Sequence, residues 1–166
     1  MGDVSLPVVD LSPFLLPSSS QARQTCADAV HNACINYGFL YLTGFDSVIS
    51  EQEMNAPLDV SRQFFARPQE EKELIRIQQP DGARGYQVLG ENVTQSFSDH
   101  HEGLDLYAPV PPPSCAKLLH GPNLWPENPA SFRPTMDAWV EKSKVIGMAL
   151  MEATAMGLGM DLEGEE

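Results

Sequence analysis

The chain has 166 residues, enough for one ordinary domain or one part of a larger one, and its 42% apolar and 20% charged residues exclude disorder throughout. Its formal charge of −13 is the outlying value. Such a surface repels phosphate backbones and anionic lipid heads, so nucleic acid and membrane are set aside as partners.

Three cysteines, Cys26, Cys34 and Cys115, with no C-x-x-C pair, give neither a disulfide framework nor a zinc ribbon. Cys26 and Cys34 read as small buried apolar residues. The N-terminus lacks the basic region and long apolar run of a signal peptide, and no stretch approaches a membrane span. Gly2 starts an M-G-x-x-x-[ST] pattern that fails because position 6 is Leu. A soluble, cytoplasmic protein is the expectation.

Leu6-Pro7-Val8-Val9-Asp10-Leu11 predicts a first, edge-type strand. Ser18, Ser19 and Ser20 offer N-caps to a helix with Cys26, Ala29, Val30, Ala33 and Cys34 on one face and Gly38 at its end. Phe39-Leu40-Tyr41-Leu42-Thr43, closed by Gly44, is apolar on both faces and predicts a central strand buried under helices. Ser50-Glu51-Gln52-Glu53 is a capping box; Met54, Leu58, Phe64 and Phe65 form the apolar stripe of its helix, which Pro57 should kink. Arg67-Pro68-Gln69-Glu70-Glu71 restarts a short helix. Asp81-Gly82 is a turn, and Gly85–Gly90 reads as a short strand.

Pro109 with Pro111-Pro112-Pro113 resists helix and sheet and marks the best internal boundary. Beyond it, Phe132, Met136, Trp139, Ile146, Leu150 and Ala153 fall on one face of a long amphipathic helix from near Ala130 to Leu158, ended by Gly157 and Gly159.

This succession resembles the N-terminal region of plant and fungal 2-oxoglutarate/Fe(II)-dependent dioxygenases of the isopenicillin N synthase-like family. The resemblance rests on Pro7-x-Val9-Asp10-Leu11, Tyr37-Gly38-Phe39 with Gly44, Phe64-Phe65 with Pro68 and Glu71-Lys72, Gly85-Tyr86, and Gly121-Pro122-Asn123 with Trp125-Pro126, all in order. It implies an α+β fold: a helical and strand region that packs against a jelly roll, with the catalytic barrel largely missing from this chain. In that family a His-x-Asp pair, a distal His and an Arg-x-Ser hold Fe(II) and 2-oxoglutarate, all C-terminal to the long helix. The expected division is therefore 1–108 as the non-haem dioxygenase N-terminal domain, 109–129 as a proline-rich connector and 130–160 as the long helix.

Ser98-Asp99-His100-His101-Glu102-Gly103-Leu104-Asp105-Leu106 can be tested as a metal site in its own right. His100-x-Glu102 has the form of the first pair, His120 could be the distal ligand, and Arg133-Pro134-Thr135 stands in the register of an oxoglutarate clamp. Against this, the connector fills the interval to His120, Arg133 lies in the long helix, and Glu102–Leu106 matches a family strand that carries no iron. In strand register Leu104 and Leu106 share a face with His100 and Glu102, so the strand's later part faces a core while its polar start lies near a rim. No metal ligand and no catalytic residue is assigned, and His31 reads as a surface or helix-packing residue.

The candidate substrate-binding residues are Arg84, a cation for a substrate carboxylate, and Tyr86, an aromatic wall. The resemblance places their segment near the mouth of the active site. The plainer alternative has Tyr86 packing on the long helix and Arg84 paired with an acid. Three functions follow: the inactive N-terminal part of an oxygenase acting on a small organic molecule; a non-catalytic binding protein that self-associates or binds another chain through uncovered apolar surface; and a minimal metal enzyme on His100, Glu102 and His120. The first is preferred. It needs no cofactor in this chain, with Fe(II) and 2-oxoglutarate implied for a full-length member.

Overall fold

The computed structural model describes residues 5–78, 83–91, 93–110 and 120–160. The Asp81-Gly82 turn, Pro111–Pro113 and Cys115 lie outside the described residues. By contact the chain divides into two compact units: Met1–Asn55 with Asp137–Glu166, and Ala56–Met136.

In the first unit, strand β1 (Val8–Asp10) pairs in parallel with β2 (Tyr41–Thr43), Val9 opposite Leu42. Between them run a single-turn helix α1 (Ser12–Leu15), absent from the sequence reading, and α2 (Ser20–Asn36). The Ser19 hydroxyl accepts from the Ala22 amide and caps α2, and Gly38 takes a positive φ of 74° at its end. Helix α3 (Glu51–Phe65) starts here, where the Ser50 amide donates to Glu53 Oε2 at 3.0 Å and the capping box closes. Val9, Leu11, Cys26 and Val30 form the core with Ala149 and Ala153 of α5 (Phe132–Gly157). A Cβ on Gly157 would stand 2.7 Å from the Ala27 carbonyl oxygen, so only glycine lets α5 pass α2 this closely.

Three expectations are corrected in the helices and strands. Strand β2 is not central: it pairs with β1 alone among the described residues, and Phe39 and Tyr41 are 72% and 62% exposed while Leu40 and Leu42 turn inward. A two-stranded ribbon buries one face, so alternation appears where an apolar run suggested burial on both. Cys34 is exposed; α2 buries Cys26, Ala27, Val30 and Ala33, a strip turned away from Ala29 and Cys34. On α3 the buried residues are Pro57, Val60 and Phe64, whereas Met54 and Leu58 face water.

In the second unit, α4 (Gln69–Glu73) precedes β3 (Gly85–Gln87), which pairs antiparallel with β6 (Gly103–Asp105), Tyr86 opposite Leu104. The other edge of β3 is also occupied: the Tyr86 amide donates to the Ile75 carbonyl at 2.7 Å, and the Ile77 amide to the Tyr86 carbonyl at 3.0 Å. β4 (Val93–Thr94) and β5 (Phe97–Ser98) form an exposed hairpin whose tip, Gln95 and Ser96, has positive φ at both residues. The core is aromatic: Phe64 meets Phe65, Phe132 and Tyr86 edge-on, with centroids 5.0, 5.6 and 6.1 Å away. The fold is thus α+β, with six short strands in three pairs among the described residues.

Candidate functional site

The polar chemistry of the second unit gathers around β3. Lys72 lies on the inner side of α4, only 6% exposed, and donates to Glu102 Oε2 at 2.6 Å and to the Phe65 carbonyl at 3.4 Å. Tyr86, fully buried, donates its hydroxyl to the same Glu102 oxygen, with Gln69 Oε1 3.3 Å away. The Lys72 ammonium also sits 5.4 Å from the centre of the Tyr86 ring. Lys72 and Glu102 together thus tie the end of α3 and helix α4 to the β3–β6 pair.

The electrostatics follow from that enclosure. Burial alone would raise the Glu102 pKa, but the hydrogen bonds from Lys72 and Tyr86 hold it below the ordinary carboxylate range. Burial alone would lower Lys72; its hydrogen bonds with Glu102 and Tyr86 raise it instead. Burial, then the bond to Glu102, raises the Tyr86 phenol.

Arg84, one residue before β3, is 3% exposed. Its guanidinium carbon stands 4.9 Å from the centre of the Tyr107 ring, and Nη2 donates to the Ala108 carbonyl at 3.5 Å. Tyr86 packs on Phe132 of α5 through the shared Phe64 cluster. The two candidate residues are therefore close in sequence but serve different neighbourhoods, Tyr86 the core and Arg84 the Tyr107 side.

The metal candidates do not converge. Glu102 is committed to Lys72 and Tyr86, His100 and His101 are exposed, and the Asp99 carboxylate accepts from Thr94 at 2.8 Å. Arg133 sits in the first turn of α5, 5.5 Å above the Trp125 ring. His31 lies beside Gly157, where α2 meets α5. Among the described residues no three His, Cys, Asp or Glu side chains come together to hold an ion. An iron ion finds no fitting donor set among them. Among the same residues no helix is long and apolar enough to cross a membrane.

Sequence reasoning named Lys72 only within the Glu71-Lys72 motif and Gln69 only within the short helix, and gave neither a role. It noted Asn123 only as part of a motif. Here the Asn123 side chain binds both polar atoms of the Tyr107 backbone, accepting from its amide at 2.9 Å and donating to its carbonyl at 2.7 Å. In the first unit, α1 and α5 line an open apolar groove of about 600 Å³ with Phe14, Leu15, Val145, Met148 and Met151.

Comparison with known proteins adds a consistent pattern. The family model described as "non-haem dioxygenase in morphine synthesis N-terminal" matches residues 6–128. A homoarginine-6-hydroxylase of Arabidopsis thaliana is 33% identical over 93% of this chain and 48% of its own length. A 2-oxoglutarate-dependent dioxygenase of Trichoderma harzianum is 30% identical over 95% of this chain and 49% of its own. The crystal structure of a full-length Neurospora crassa protein in complex with alpha-KG superposes with a TM-score of 0.75 at 26% identity, over 94% of this chain and 48% of that one. The chain spans about half the length of the curated relatives it matches.

Proposed function

Because the chain belongs to the non-haem dioxygenase N-terminal family, we propose that it is the non-metal-binding N-terminal part of a 2-oxoglutarate/Fe(II)-dependent oxygenase acting on a small organic molecule, and that it is inactive alone. The match over residues 6–128 carries this reading. In this reading Fe(II) and 2-oxoglutarate are held by a jelly-roll half that packs on this one, in a cytoplasmic setting. Three features support it. The described acidic and imidazole groups form no ligand set, and Glu102 is already neutralised by Lys72. Val8, Phe39 and Tyr41 face water on the outer side of the β1–β2 ribbon, as do Met148 and Met151 on α5. Apolar faces of that kind are the surfaces a second polypeptide layer covers.

Arg84 and Tyr86 enter this reading as the cation and the aromatic wall behind the substrate entrance. Their support is that both stand at β3, held by neighbours that fix their side chains. The chain is tested by incubation with Fe(II), ascorbate and 2-oxoglutarate under air. No succinate above a metal-free blank is expected; iron-dependent turnover would refute the reading.

The same exposed apolar residues favour a second reading, a non-catalytic interaction protein derived from the family. It predicts concentration-dependent self-association or binding to another chain. A monodisperse monomer that takes up no apolar dye removes it.

A further inference from the structure

Half-exposed aromatic side chains ordinarily keep their rotamer freedom, and a ligand that immobilises one forfeits part of its binding free energy in ordering it. Tyr107 is 51% exposed yet restrained twice. Asn123 imitates a neighbouring strand and holds its amide and carbonyl at 2.9 and 2.7 Å, just beyond the end of β6. Arg84, itself buried, lays its guanidinium 4.9 Å from the ring centre and reaches the next carbonyl, that of Ala108. The side chain is therefore fixed in backbone and ring while half of it stays open.

We propose that Tyr107 is a preorganised stacking platform for a neutral, planar, delocalised group of the substrate, with Arg84 and Asn123 as its positioning residues. This deepens the oxygenase reading and rests on it for the placement of this segment at the substrate entrance. Rigid tyrosines make contact surfaces because their large apolar ring is already ordered before the ligand arrives. The cation behind the ring decides the ligand class. It draws electron density toward one face and repels a second cation stacked on the other, so a neutral, delocalised group is preferred over a guanidinium or an ammonium. The net charge of −13 disfavours an anion in turn. Tyr86 is fully buried and Tyr107 51% exposed, so Tyr107 is the tyrosine of this segment whose ring is open to solvent.

The test uses the whole 166-residue chain with ¹³C-labelled tyrosine. Uracil is titrated as the neutral planar probe and methylguanidinium as the cationic one, and the aromatic resonances are followed. Tyr37 and Tyr41, 48% and 62% exposed, are internal references for unspecific stacking. Uracil is expected to shift the Tyr107 ring saturably, with an apparent affinity about fivefold above that at the other two, the scale of one modest stacking contact. Methylguanidinium should show no such preference. Arg84→Met and Asn123→Ala should each bring Tyr107 down to the level of Tyr37 and Tyr41. If Asn123→Ala fails to fold, Asn123→Asp keeps the acceptor for the Tyr107 amide but sets a carboxylate oxygen against the Tyr107 carbonyl, and should likewise lower the Tyr107 response toward that of Tyr37 and Tyr41. Equal shifts at all three tyrosines, or a Tyr107 response unaltered in the variants, overturn the proposal. Such a result leaves the oxygenase reading standing, whereas succinate formation by the isolated chain would sink that reading and leave the stacking result intact.

Discussion

Replacing Lys72 with Met removes the cation from the buried network while keeping most of its volume. The Lys72 side chain is 8% exposed and that of Glu102 28%, with 2.6 Å between their charged atoms. Breaking a fully buried pair costs about 3–5 kcal/mol, and a single hydrogen bond to a charged group about 1.5–3 kcal/mol. Because water still reaches part of the Glu102 carboxylate and Tyr86 continues to donate to it, the lower range applies, and Lys72→Met should cost about 2–3 kcal/mol. Urea unfolding followed by far-ultraviolet circular dichroism measures it. The double variant Lys72→Met/Glu102→Gln should recover about 1–2 kcal/mol of the loss, because the stranded charge is gone. A single-variant cost under about 0.5 kcal/mol, the usual value for a surface pair, would refute the buried-network assignment. The pH dependence has a definite sign. Glu102, depressed in the folded state, contributes stability above its unfolded pKa and loses it as pH falls through the folded value. Lys72 and Tyr86, both raised, contribute below their unfolded pKa values and lose that contribution as pH rises through the folded ones. The parent should therefore weaken at both the acid and the alkaline extreme, and the double variant less so at each.

Other expectations follow from single contacts. The Glu53 carboxyl, bound by Lys142 and by the Ser50 amide and hydroxyl, should titrate at about 2 in a carboxyl NMR experiment; a midpoint in the ordinary range would show the Lys142 contact and the capping box both open. Gly44→Ala puts a Cβ 1.8 Å from Asp10 Oδ1 at a φ of +75°, and should destabilise by about 2–3 kcal/mol in urea, through left-handed strain and loss of the Asp10–Ser12 bond. Phe132→Ala empties a position 2% exposed between Phe64 and Trp125 and should cost about 3–5 kcal/mol.

Much of the fold was legible because its signals are local. Ser19, the Ser50–Glu53 box and Gly38 each act within one helical turn, and each does in the structure what its chemistry implies. Period was equally readable on α5, where Phe132 and Ala153 are buried and Met136, Trp139, Ile146 and Leu150 half-buried, as their spacing requires. What failed depended on partners far along the chain. Phe39 and Tyr41 have the composition of a central strand, but burial is set by how many strands and layers lie alongside, and β2 has one neighbour. The β4–β5 hairpin escaped because Gln95 and Ser96 adopt positive φ without the Asn-Gly or Gly signals such turns usually carry. In the candidate site, the strand register that put Glu102 on the face of Leu104 and Leu106 is visible in the sequence. That Lys72 meets Glu102 across thirty positions is not, since nothing local distinguishes this lysine from a solvated one.

The core of the first unit joins Val9 and Leu11 to Ala149 and Ala153, so a chain emerging from the ribosome presents its earliest apolar strand long before the helix that completes its burial. Until then β2, α1 and α2 shelter that strand only in part, and the nascent chain carries sticky surface until α5 arrives. Contacts of such separation close slowly, which makes the arrival of α5 the step on which safe burial of that strand waits.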